Sequence, residues 1–346
     1  MSNFQLPFQP IRSTLYTPDE LFAGFDLNDP RTFSVTPDFL IYQSFVAGGG
    51  SNAGDYLTTL MQSLHDNSIT QALRSALATK KRVATMGGHD MARTDAAYRQ
   101  IAELARALTR AGFMVVSGGG PGAMEATHLG AACANSTDTV LSSALELLSA
   151  RPTLPKNLDK MVDANGTPDP AIVAEAHAWF SVAIKATELI ANRAASVALP
   201  TWRYGQEPTT PFACEIAKYF QNSIREDGLV AVGTHGVIFA PGKAGTIQEI
   251  FQSTTNNYYL QFGTFSPMVF LGVQYWTHQY PVMAVLQRLF KPEQIKTSVL
   301  VTDEWQQVVE FIRSSPIKPI RLPIPSFSSV SRTRLPSVTN DEPPGD

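Results

Sequence analysis

The chain has 346 residues, 44% hydrophobic and 16% charged, with a net charge of -3. That length can bury a large core, and the near-neutral balance excludes a general electrostatic attraction to nucleic acid or to an anionic membrane. Two cysteines, Cys133 and Cys214, both in helix-like segments, exclude a disulfide framework and a cysteine metal centre.

In chain order, the first 35 residues are rich in Pro, Asp and Thr and hold one short helix, with Thr17 as N-cap, Pro18 opening it and Glu20 two positions on. Gly48-Gly49-Gly50 then makes a joint. Tyr56, Leu57, Leu60, Met61 and Leu64 recur at helical spacing, and Ile69, Leu73 and Leu77 mark a second helix. Residues 1–80 thus read as a partly helical N-terminal extension. From Arg82 the rhythm changes. Arg82 to Met86 is a strand ending in Gly87-Gly88, and Tyr98 to Leu108 give one face of a helix that stops at Gly112. Phe113 to Val116 is the next strand, followed by a glycine turn and a helix through Cys133. Strand, helix, strand, helix at this spacing is βαβ, hence a parallel sheet with right-handed crossovers.

Residues 135–194 interrupt that alternation with helical patterning around Pro152 and Pro155, and read as a helical insertion and candidate lid. Ser196 to Pro200 resumes the sheet. Ile216, Tyr219, Phe220 and Ile224 predict a helix ending near Arg225. Val237 to Ala240, Pro267 to Val273 and Ser298 to Val301 predict further strands, and Asp303 to Ile312 a closing helix. The 81–315 domain ends there, and the Pro- and Ser-rich residues 316–346 predict an extended or disordered tail. No apolar run approaches the ~18 residues of a membrane span, and Met1 to Pro7 lack a signal-peptide pattern, so a cytoplasmic protein is expected.

Two glycine-rich turns carry the chemistry. Ser117-Gly118-Gly119-Gly120-Pro121-Gly122-Ala123-Met124-Glu125 follows one strand, and Pro241-Gly242-Lys243-Ala244-Gly245-Thr246-Ile247-Gln248-Glu249 follows another. A buried strand breaking into glycines and then a helix exposes backbone N–H groups at the positive end of the helix dipole, which suits a phosphate. Two such turns at the carboxyl edge of one parallel sheet define one crevice. Glu249 lies in the first turn of its helix, facing a bound phosphate or sugar, or else merely complementing the helix dipole. Lys243 either faces solvent or adds charge to the phosphate. His89, just after Gly87-Gly88 at a strand end, either lines the crevice or fills an ordinary hydrogen-bonding role. The six histidines form no metal-ligand set. Gly118-x-Gly120-x-x-Ala123 also fits a relaxed dinucleotide fingerprint, with Asp138 at the spacing of a ribose-binding acid.

The paired segments Gly118-Gly119-Gly120-Pro121-Gly122-Ala123-Met124-Glu125-Ala126 and Pro241 to Glu249 resemble the LOG ("Lonely guy") family. These are Rossmann-like nucleoside 5′-monophosphate phosphoribohydrolases, often mislabelled lysine decarboxylases. The resemblance spans Arg82 to Ile312, with residues 135–194 as an addition. It implies a Rossmann-like parallel sheet with helices on both faces and hydrolysis of nucleoside monophosphates to free base and ribose 5-phosphate. It implies Glu249 as catalytic carboxylate and Arg225 as its catalytic partner. By the same resemblance Gly118, Gly119, Gly120, Gly122, Met124, Gly242, Lys243, Gly245, Thr246, Gly87 and Gly88 hold phosphate and ribose. No cofactor and no metal is implied, and a homodimer or higher homo-oligomer is. Two residues depart from the family pattern: Lys243 replaces a glycine of the second motif, and Glu226 stands where many members have lysine. A non-catalytic nucleotide sensor using the same crevice is the alternative, and an NAD-dependent oxidoreductase a third reading.

Overall fold

The computed structural model describes residues 6–52, 55–261, 263 and 265–315, and the expected tail, 316–346, lies outside the described residues. Seven strands form one sheet: β1 Arg82–Met86, β2 Met114–Ser117, β3 Val197–Ala198, β4 Glu215–Ile216, β5 Val237–Phe239, β6 Met268–Leu271 and β7 Val299–Thr302. They lie in the order β4-β3-β2-β1-β5-β6-β7, each pair parallel. The fold is therefore α/β and Rossmann-like.

The chain enters through α1 Pro18–Leu21, α2 Pro37–Ala47 and α3 Tyr56–Leu77. Helix α4 (Ala96–Arg110) joins β1 to β2. Helices α5 (Ala123–Ala132), α6 (Asp138–Ser149) and α7 (Pro170–Glu188) join β2 to β3. Helix α8 (Asn222–Val232) precedes β5 and α9 (Ala244–Tyr258) follows it. Helices α10 (Met283–Leu289) and α11 (Pro292–Ser298) lead to β7, and α12 (Trp305–Ser314) comes last.

The strands read as continuous apolar runs because both faces of a parallel sheet are covered. The pleat sends Val83, Val115, Ile238 and Val269 into one layer, against α4, α5, α6 and α12. It sends Ala84, Met86, Val116, Phe239 and Phe270 into the other, with α2, α3, α7 and α8. Thr17 caps α1 as expected, its hydroxyl accepting from the Glu20 amide at 3.2 Å.

The N-terminal segment is built into this architecture. Tyr16 pairs antiparallel with Ile216, exchanging hydrogen bonds of 3.0 and 2.8 Å, and so covers the free edge of β4. Buried Asp66 on α3 accepts from the amides of Phe220 (3.0 Å) and Gln221 (2.8 Å), at the entry to α8. Asp38 on α2 pairs with buried Lys218 at 2.7 Å and accepts from Trp202 Nε1 at 3.1 Å. Lys218 also donates to Thr209 at 2.9 Å, so this cluster holds the β3–β4 connection. Taking such charges out of water is costly, and their mutual satisfaction fixes that loop in one arrangement.

Several expectations are corrected. The residues from Ile216 to Phe220 are not helical: Ile216 belongs to β4, and all five are buried. A segment buried on every side has no solvent face, so its apolar spacing imitates a helix. Arg225 consequently stands in the first turn of α8, not at the end of a helix. Cys214 lies outside any helix, just before β4. The two helices expected over 56–77 are one, α3. α6 and α7 pack in the core rather than over the crevice: Arg93, which accompanies the β1 turn, donates to the Trp179 carbonyl at 3.1 Å and pairs with Glu125 at 2.7 Å.

Candidate functional site

At the carboxyl edge of the sheet three turns lie side by side, because β1 runs between β2 and β5. The chain leaves β1 toward β2 on one side, while β5 occupies the other, so this is the topological switch point of the sheet. Backbone bonds tie the turns together. Gly88 N donates to the Pro241 carbonyl at 3.0 Å, and Ala123 N donates to the Gly88 carbonyl at 3.1 Å. The approach demands glycine at 87, where a Cβ would come within 2.7 Å of Ala123 Cβ and 3.0 Å of Ala240 Cβ.

Above these turns opens a cavity of about 300 Å³. Of the residues expected at the site, Gly87, Gly88, Met124, Arg225, Lys243, Gly245, Thr246 and Glu249 line it. Gly118 and Gly120 line a small adjoining recess that shares Met124 and Arg225. Gly119, Gly122 and Gly242 serve the scaffold: Gly119 backs onto Ala198, Gly122 onto the Gly88 carbonyl, and Gly242 onto the Thr246 hydroxyl. Asp138 is not part of the site. It pairs with Arg106 of α4 at 2.7 Å, so the ribose-binding acid of the dinucleotide fingerprint has no counterpart there.

Helix α9 presents its amino terminus to the cavity. Its first internal bond runs from Ile247 N to the Lys243 carbonyl at 3.0 Å, so the amides of Ala244, Gly245 and Thr246 have no helical acceptor. A Cβ on Gly245 would meet nothing within 4 Å, and Gly245 lines the cavity. Lys243 Nζ reaches across the rim to Asp90 Oδ2 at 2.6 Å, linking the β5 turn to the β1 turn. Tyr275 braces the turn from behind, its hydroxyl donating to the Gly242 carbonyl at 2.7 Å.

Glu249 follows Thr246 by three residues and therefore shares its face of α9. It is 9% exposed, and no ion pair within 4 Å holds its carboxylate among the described residues. Burial pushes its pKa up from 4.5 to about 7; the Arg225 charge pulls it down, and Glu226 pushes it further up. Arg225 is aimed by a 2.8 Å bond from its Nε to the Leu199 carbonyl. Its guanidinium and the Met124 sulfur occupy the space that a Cβ on Gly118 would need, at 2.7 and 2.6 Å. Glu226 turns to Asn222 (2.6 Å) and Gln248 (2.7 Å).

Sequence reasoning missed Tyr204, Glu207 and Asp90, which also line the cavity, together with His89, which it anticipated. Glu207 Oε2 lies 3.3 Å from the Cβ position of Gly120, directly over the first glycine turn. Burial raises its pKa, while His89 and Arg225 pull it back. The only sequence signal for it was its place in the loop after β3, at the same sheet edge. Two carboxyl groups thus flank one arginine, with a row of free helix amides beside them. Among the described residues no group of three or more His, Cys, Asp or Glu side chains is disposed to hold a metal ion. No helix among them is long and apolar enough to cross a membrane.

The chain matches no protein-family model and no curated protein.

Proposed function

We propose that this protein hydrolyses the N-glycosidic bond of nucleoside 5′-monophosphates, releasing the free base and ribose 5-phosphate. The observation that carries the reading is Glu249: a buried, unpaired carboxyl with a pKa of about 7, set beside Arg225 and one turn from the open amides of α9. The resemblance of the two glycine segments to the LOG family supports it. Breaking the bond to the base develops positive charge on C1′ and O4′ of the ribose, an oxocarbenium-like transition state. An ionised Glu249 stabilises that charge and accepts a proton from the attacking water, whose hydroxyl bonds to C1′. The bonding electrons leave with the base nitrogen, which takes up a proton. A pKa near the working pH suits a general base. Fixed groups aimed at developing charge contribute on the order of 3–4 kcal/mol each.

The two glycine turns take different roles in this reading. A dianionic phosphate over the first turn would face the Glu207 carboxyl, whereas the α9 turn offers free amides, the helix dipole and Lys243. The phosphate therefore belongs to the α9 turn, and Glu207, Tyr204 and His89 to the base end. Membership of a homo-oligomer is proposed from Phe251 and Tyr258 on α9 and Tyr259 just beyond it, large apolar side chains that are exposed.

The test is a panel of AMP, GMP, CMP, UMP and IMP, incubated with protein and resolved by chromatography. Base release that Glu249→Gln abolishes while nucleotide binding persists is the expected result. Binding without release would select a nucleotide sensor, the reading that neutralisation of Lys243 by Asp90 favours. Neither binding nor release removes both.

A further inference from the structure

A second cavity, of about 340 Å³, lies at the opposite edge of β1, between α3 and α8. Its walls are mostly apolar, with Leu73 and Leu77 from α3 and Ile224 and Val232 from α8. One polar group is out of place among them. Arg82, the first residue of β1, is 2% exposed, and its Nη2 donates to the Thr234 hydroxyl at 3.1 Å. Its Nε and Nη1 are buried without any hydrogen-bond partner, and no carboxylate lies within ion-pair distance among the described residues. Buried donors almost always find an acceptor, and a buried guanidinium without one is costly.

The α8 wall shows a second irregularity. Gly228 sits in mid-helix and lines the cavity, although glycine weakens a helix. A Cβ there would meet nothing within 4 Å, so no neighbouring atom requires the glycine. What the glycine does provide is room. Two other charges face the space: Arg74 of α3, and Asp227 of α8, whose carboxylate takes a hydrogen bond from Gln252. The cationic side chains therefore outnumber the carboxylate.

We propose that this cavity binds a small organic carboxylate, its head on the idle N–H donors of Arg82 and its aliphatic or aromatic body in the space over Gly228. A bare inorganic anion would waste the apolar walls, and an uncharged molecule would leave the guanidinium unanswered. The proposal does not depend on nucleotide chemistry, since none of these residues lines the first cavity.

The experiment titrates the full chain with hexanoate and phenylacetate by calorimetry, with hexanamide and inorganic phosphate as comparisons. One-to-one binding of a carboxylate is expected, with hexanamide silent and the carboxylate affinity unchanged when inorganic phosphate is present. Arg82→Met removes the charge, and Gly228→Leu fills the space with a better helix former. Each should weaken binding at least about tenfold. Gly228→Leu keeps Arg82 and relieves a helix glycine, so it remains informative if Arg82→Met does not fold. Gly228 lies outside the first cavity, so binding lost in Gly228→Leu assigns the ligand to this one. The proposal fails if neither carboxylate binds at about 10 mM, if hexanamide binds as well, or if Gly228→Leu leaves affinity unchanged.

Discussion

Replacing Glu249 by glutamine should make the protein more stable at neutral and alkaline pH. In the folded chain burial holds the Glu249 pKa at about 7, against an ordinary value of 4.5. Between those two pH values the folded state binds more protons than the unfolded state, so stability falls as pH rises through that window and levels off above it. At about 1.36 kcal/mol per pH unit, the full penalty is about 3 kcal/mol by pH 8. Glutamine fills the same space without a charge and escapes it. Urea unfolding of both proteins from pH 4 to pH 8 reads the effect directly. The curves should lie close together near pH 4, and the glutamine variant should gain about 3 kcal/mol toward pH 8. A difference that does not change with pH would refute the claim that an ionised Glu249 is held against its own solvation.

The same reasoning extends to its neighbours. Arg225→Ala removes the charge that pulls the Glu249 pKa down, so the rising limb of the pH–rate profile should move above pH 7 and the rate should fall about 10²- to 10³-fold. Asp66→Ala leaves the amides of Phe220 and Gln221 without their acceptor, and urea unfolding should show a loss of about 3 kcal/mol. Gly87→Ala forces a methyl group against Ala123 and Ala240 and should cost about 1–3 kcal/mol by the same measurement. Glu207→Gln exchanges an acceptor for a donor at the proposed base end; the AMP to IMP ratio of kcat/KM should change about tenfold while phosphate affinity holds.

The parallel sheet was legible because each strand that feeds the site is a short apolar run ending in glycine. Gly87-Gly88, Gly118 to Gly122 and Pro241 to Gly245 all fall where β1, β2 and β5 end. Sequence could not separate glycines that meet a ligand from glycines that let the turns touch each other. Gly122 and Gly242 are of the second kind, and only the packing of Gly88 and Thr246 against them reveals it. The Ile216–Phe220 segment was misread because burial on all sides erases the period that distinguishes strand from helix. Glu207 escaped notice for a different reason. It reaches the cavity from an irregular loop whose position depends on Asp38 and Lys218, residues 180 apart in the chain. Contacts that distant leave no local pattern.

The charge lining the cavity bears on how a nucleotide would enter it. Glu249, Glu207, Glu226 and Asp90 face it, against Arg225 and Lys243. Side chains alone would repel a phosphate dianion. Most of its affinity must come from groups that carry no net charge, the free amides of Ala244, Gly245 and Thr246 at the positive end of α9. Those amides are fixed by the bonds that tie the β5 turn to the β1 turn, so they reorganise little when an anion arrives. For the proposed reaction, the surplus of carboxylates is then an asset at the other end of the nucleotide. It opposes negative charge everywhere except at the helix terminus, and it would favour the positive charge that a departing base leaves on the sugar.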